Sequence, residues 1–200
     1  ANLFDKEGVS LIVPENALYE DEVVNFHTIP SNTYYSDIYS IGDPLTPVHT
    51  FMDLSIKLSK DELADKAKYV VVSLTEKNTI NKVYACEIIN GYAVAKVREL
   101  GKFAIFKDGN APHVGPLQTK NLRATNRIVM TMGDGLSGIK SYKGYIDDKW
   151  VLFEYDAKTG TAFCNLSVEN VAKDNTLKVF KFVVTDNCNN ERVYEKKILY

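Results

Sequence analysis

Met52, Leu54, Ile56 and Leu58 alternate with Asp53, Ser55 and Lys57, and this two-residue rhythm constrains the chain more than any other feature of it. Successive side chains of a strand point to opposite faces, so the pattern suits a strand with one face in a core and the other in water. On a helix the same residues would scatter apolar groups all round. The rhythm, or a short β-branched run, returns at residues 9–13, 69–74, 82–88, 92–97 and 102–106, and again at 127–132, 139–146, 149–155, 161–168, 177–185 and 192–199. Phe180, Phe182 and Val184 are expected to share a buried face, with Lys181 and Thr185 turned outward. Asn90-Gly91 between two such runs marks a tight hairpin, because both central positions of that turn favour positive φ. The one helix candidate is residues 59–66, where Ser59 and Glu62 have capping-box spacing, and at one or two turns it is marginal. The fold class this implies is all-β.

Asp108-Gly109-Asn110-Ala111-Pro112-His113-Val114-Gly115-Pro116 breaks the rhythm with two Gly and two Pro and reads as a short, stiff linker. It divides 200 residues into 1–110 and 111–200, each large enough for its own core. Two tandem β-sandwich domains are therefore expected. The halves differ in charge: 11 basic against 16 acidic residues before the cut and 13 against 10 after it, so −5 and +3 sum to the whole-chain −2. That balance, with a pI near 6.0, lacks the concentrated basic face that nucleic acid requires. No apolar run approaches the roughly 18 residues needed to cross a bilayer. Ala1 opens neither a signal peptide nor a native start, so the chain reads as a processed product, which hints at export.

Several motifs suggest chemistry and fail on context. Gly133-Asp134-Gly135-Leu136-Ser137-Gly138 satisfies G-x-G-x-x-G, but a strand-like segment follows where a pyrophosphate would need a helix N-terminus. Ser137 is not in G-x-S-x-G, and no His follows His113. His27, His49 and His113 never stand as H-x-H or H-E-x-x-H, so neither a catalytic set nor a metal set is assigned. Cys86, Cys164 and Cys188 lack C-x-x-C spacing; a Cys164–Cys188 bridge is conceivable in an exported sandwich, as are buried thiols in strands. Asp134, Asp147, Asp148, Asp156 and Asp186 all fall at predicted turns. They could bind calcium if several loops met at one end, but turn aspartates also serve their own backbone, and no cofactor is expected.

Aromatic residues remain. Trp150, ahead of Val151-Leu152-Phe153, is most simply a core residue of the second sandwich. Tyr34, Tyr35 and Tyr39 lie in a polar stretch and could stack on sugars or form a ligand or partner surface, or pack against the first sandwich. Asn165-Leu166-Ser167 fits a glycosylation sequon within a predicted strand.

In the second half, Asp134-Gly135-Leu136-Ser137-Gly138-Ile139 and Val183-Val184-Thr185-Asp186-Asn187-Cys188-Asn189-Asn190 resemble the "D-x-x-S-G-I" turn and closing "V-T-D-x-x-G-N" segment of bacterial immunoglobulin-like domains. Asn189 stands where Gly is usual. Residues 144–156 with Gly160-Thr161 resemble the C-terminal region of lysostaphin-type zinc endopeptidases of the Bacteroides group. In the first half, residues 8–18 and 97–105 resemble the sandwich preceding it there and, more distantly, the β-sandwich of ankyrins and netrin receptors. That resemblance implies an immunoglobulin-like second domain. It also implies an accessory portion of an exported envelope protein, periplasmic, outer-membrane-attached or extracellular. The family's H-x-x-x-D and H-x-H zinc ligands are missing here, so no catalytic residue carries over. The expected function is a non-catalytic module that positions a cell-wall peptidase or mediates adhesion, with a surface protein or glycan as partner. The alternative is a carbohydrate-binding module using the first-domain tyrosines or second-domain loops.

Overall fold

The computed structural model describes residues 1–20, 23–59, 63–115 and 121–200. Glu62 of the expected capping box and Pro116 of the expected linker lie outside the described residues. The chain is nearly all β and divides into two compact units, Ala1–Gly109 and Asn110–Tyr200.

Among the described residues of the first unit nine strands follow one another: β1 (Asn2–Lys6), β2 (Val9–Val13), β3 (Phe26–Ile29), β4 (Ile38–Ile41), β5 (Met52–Lys57), β6 (Tyr69–Leu74), β7 (Ile80–Ile89), β8 (Tyr92–Val97) and β9 (Gly101–Lys107). They hydrogen-bond in the order β1-β2-β5-β8-β7-β6-β9-β4-β3, antiparallel throughout. Strand β7 lets so long a sheet fold back over itself. Its residues from Ile80 to Ala85 pair with β6, and those from Cys86 to Ile89 pair with β8. The two halves of the sheet thus enclose one core, in which Leu11, Met52, Leu54 and Ile56 meet Val71, Phe103 and Ile105. The alternation that opens the sequence is realised in β5, whose Met52, Leu54 and Ile56 are all buried. Strand β6, with Tyr-Val-Val-Val-Ser-Leu, is buried on both faces, which explains why it reads as a continuous apolar run. Asn90 and Gly91 sit at φ 51° and 81° and join β7 to β8 in the expected tight turn. Residues Leu63–Lys68 form a short 3-10 segment.

The described residues of the second unit form eight strands and one helical turn: β10 (His113–Val114), α1 (Leu122–Thr125), β11 (Arg127–Gly133), β12 (Ile139–Ile146), β13 (Lys149–Val151), β14 (Glu154–Asp156), β15 (Thr161–Asn165), β16 (Leu177–Asp186) and β17 (Glu191–Leu199). Two four-stranded sheets form, β10-β11-β15-β14 and β13-β12-β16-β17. This is the strand order of an immunoglobulin-like sandwich, A-B-E-D against C′-C-F-G. Ile128, Met130 and Cys164 from one sheet meet Phe180, Phe182 and Val184 from the other in a single core. Lys181 and Thr185 point away from it, as the alternation of β16 requires.

Three expectations need correction. The predicted strand at 149–155 is two strands in different sheets, because the chain leaves β13 at Val151 and crosses to pair β14 with β15. Helix α1 lies where no helix is predicted. Trp150 is 58% exposed and is not a core residue. The reason is parity: Val151 and Phe153 both turn into the core, so Trp150 and Leu152 must turn out. The core place that a lone Trp often holds in such sandwiches is taken by Phe153, whose ring lies 4.8 Å from that of Phe182 and 6.0 Å from that of Phe180.

Candidate functional site

Outward-facing residues of β13-β12-β16-β17 assemble a row that no stretch of sequence displays. Trp150 on β13 stands opposite Tyr145 on β12, Tyr145 opposite Lys181 on β16, and Lys181 opposite Glu195 on β17. Directly opposed residues on one sheet face hold their Cβ atoms about 4.5–5.5 Å apart, so the four side chains form a continuous strip. The Lys181 ammonium lies 5.9 Å from the centre of the Tyr145 ring. Lys143, two residues before Tyr145, shares its face and stands opposite Val183, which stands opposite Val193. Neither Lys143 nor Lys181 forms an ion pair among the described residues.

Beside this strip a pocket of about 190 Å³ opens where β13 leaves the sheet, with Lys143, Trp150 and Leu152 in its lining. Gly144 makes this geometry possible. A Cβ there would collide with the Phe153 ring, so only glycine lets Phe153 cross β12 and draw the chain away after Val151. An exposed Trp and a half-buried Tyr on neighbouring strands present flat apolar faces with polar edges, a combination suited to recognition.

Tyr34, Tyr35 and Tyr39 do not offer the surface expected of them. Tyr34 and Tyr39 are only 8% and 6% exposed. The Tyr34 hydroxyl donates to the Asn78 carbonyl at 2.8 Å, and its ring meets Phe106 edge-on. Tyr39 stacks on Phe26 within the first core. Burial pushes both phenols above their ordinary pKa, with nearby Asp37 and Glu7 adding to the effect at Tyr39. Tyr35 is half-buried, edge-on to Tyr69, with the Lys107 ammonium 5.9 Å from its ring centre. As a set these tyrosines serve packing.

A second polar cluster lies in the first unit. Glu99 accepts hydrogen bonds from Lys82 Nζ at 2.5 Å and Tyr84 Oη at 2.6 Å. Burial alone would raise the Glu99 pKa, but the hydrogen bonds from Lys82 and Tyr84, with the Ser73 hydroxyl close by, outweigh it and hold the carboxyl below its usual range. Tyr84 is driven the other way, by burial first and then by its bond to Glu99. The shift at Glu99 is opposite to that of a general acid or base poised near neutrality. The cluster acts as a clasp between β7 and the segment after β8.

The aspartates distribute themselves between turns. Asp134 accepts from the backbone N–H groups of Leu136 and Gly138, and Asp186 accepts from the backbone and side chain of Asn190. Carboxylate oxygens of Asp134 and Asp186 approach within 4.8 Å. Asp147 accepts from the Val179 N–H at the opposite end of β12, and Asp156 from Lys158 within its own turn. The five do not converge on one point. No histidine joins a cluster of metal-ligating side chains among the described residues. The glycine-rich stretch at 133–138 carries β11 in one sheet to β12 in the other, with no helix after it. None of the three cysteines is in a disulfide. Cys164 pairs with Ile128 at the start of β11, whereas Cys188 follows Asp186 at the end reached by the close of β11, so the conceivable bridge would have to span the sandwich.

These features define a tandem β-sandwich protein whose second unit has immunoglobulin-like topology. Its first unit supplies the family: a model of the Zu5-like domain matches residues 1–108, over half the chain, and the protein belongs to that family. No curated protein matches the chain.

Proposed function

We infer that this chain is a non-catalytic recognition module of an exported bacterial cell-envelope protein, one that positions a cell-wall peptidase or mediates adhesion. The observation that carries this reading is the outward-facing strip Trp150-Tyr145-Lys181-Glu195, with Trp150 exposed, on an immunoglobulin-like sheet. Exposed large aromatics cost solubility and mark binding surfaces when they sit in a patch with polar flanks. The resemblance of residues 144–156 to the accessory region of lysostaphin-type endopeptidases supports the envelope setting, and Tyr145 and Trp150 of the strip fall within that segment. A sandwich suits such work because its cores supply rigidity while its faces remain available.

The test is co-sedimentation of the purified 200-residue chain with bacterial envelope preparations, beside an assay for product release from peptidoglycan and peptides with and without added zinc. Retention that falls when Trp150 is replaced by Ala, with no product formed, is the expected result. Metal-dependent hydrolysis, or retention indifferent to Trp150, would overturn the reading.

A further inference from the structure

We propose that the outer face of β13-β12-β16 is a subsite for an anionic glycan, with Trp150 and Tyr145 stacking on consecutive sugar rings and Lys143 and Lys181 engaging sugar carboxylates. This rests on the recognition-module reading and names its ligand class. Three observations carry it.

The first is the pairing of Trp150 with Tyr145 across adjacent strands. Strands lie about 4.8 Å apart, close to the advance per residue of an extended β-linked glycan, so two rings side by side can each meet a pyranose. The C–H face of a pyranose is apolar while its rim carries hydroxyls, the complement of a ring with a polar edge.

The second is charge. Lys181 lies over the Tyr145 ring and Lys143 stands two residues before Tyr145 on the same face; neither has an ion-pair partner among the described residues. Two ammonium groups outside any ion pair among the described residues flank the aromatic pair and favour a ligand with carboxylates, and Glu195, opposite Lys181, limits how far such a ligand extends.

The third is relief. The 190 Å³ pocket lined by Lys143, Trp150 and Leu152 gives a substituent of the ring stacked on Trp150 somewhere to go. A protein partner is favoured less, because Lys143, Lys181 and Glu195 interrupt the apolar residues where the centre of a protein interface is depleted of charge.

Trp150 is the only tryptophan, so intrinsic emission reports this face alone. The experiment titrates the full chain with a uronic-acid hexamer, a neutral hexamer of the same linkage and a glutamate-rich peptide of equal charge, reading Trp emission and calorimetry. The expected result is a blue shift with the uronate, affinity at least tenfold above the neutral hexamer, and weakening as salt rises. The Lys143→Gln/Lys181→Gln pair should remove that tenfold preference while emission of the free protein is unchanged. Trp150→Ala should lose at least tenfold by calorimetry with an unaltered melting temperature. Equal affinity for the neutral hexamer, no response to either sugar, or tighter binding of the peptide overturns the proposal. If the uronate fails while envelope retention still depends on Trp150, only the glycan assignment falls and the module reading stands.

Discussion

The ring of Phe153 lies against the backbone of Gly144, in the space that a Cβ at that position would fill. This contact fixes where β13 leaves its sheet and thus which way Trp150 faces. Gly144→Ala forces Phe153 off its place against Phe180 and Phe182, and overpacking of this kind costs about 1–3 kcal/mol. Phe153→Ala should cost about 3–5 kcal/mol through the cavity it leaves. In the double variant the two losses should sum to less than their parts, because the clash disappears with the ring. Urea denaturation of the four proteins measures the cycle.

Trp150 offers the converse case. Because Val151 and Phe153 hold the core positions, Trp150→Ala should change the unfolding free energy by no more than about 0.5 kcal/mol, the usual range for a surface substitution. Acrylamide should quench its emission efficiently in the native protein. A large loss of stability would mean that the indole is packed.

The legible and illegible parts of the chain separate along physical lines. Strands such as β5, β8 and β16 have one face in a core, so their alternation announces them. Strands β1 and β3 are the edges of the nine-stranded sheet and each turns a single aromatic, Phe4 or Phe26, toward the core, too little to set up an alternation. In β4, a four-residue strand, Ile38, Tyr39 and Ile41 are buried behind a polar approach that masked them. The run at 149–155 shows no break in its rhythm, because changing sheets after Val151 preserves alternation. Trp150 stood out as a residue, but Tyr145 comes to it through the turn between β12 and β13 and Lys181 through strand register from 31 positions away, which periodicity does not encode. The tyrosines at 34, 35 and 39 were visible for the same reason as Trp150, and burial decided their role instead.

Glu99 predicts an acid limb in stability. Although its burial acts upward, the hydrogen bonds from Lys82 and Tyr84 leave its folded-state pKa below the unfolded one. A carboxyl shifted this way contributes stability that is fully present above the unfolded value, about 4.3, and is lost as pH falls through the folded value. The urea midpoint should therefore fall more steeply below about pH 4.5 in the wild type than in Glu99→Gln, which lacks the titrating group. Tyr84→Phe should cost about 1–3 kcal/mol at neutral pH, since it removes a donor from a largely buried carboxylate.

The cysteines predict inertness. Burial, with Glu169 adding to it, pushes the Cys164 thiol up to about 12, and the thiolate is the reactive form. Iodoacetamide at pH 8 should leave Cys164 unmodified in the native protein and alkylate it in urea, and mild oxidation should yield no Cys164–Cys188 crosslink. Peptide mapping by mass spectrometry distinguishes these outcomes.

The most direct test of the account is amide hydrogen exchange of the intact chain with and without a bacterial envelope fraction. Binding through the sheet face should slow exchange across residues 143–151 and 179–183 and leave the first unit unchanged. Protection confined to the first unit, to the turns at 134–138 and 186–190, or to no segment at all would contradict it.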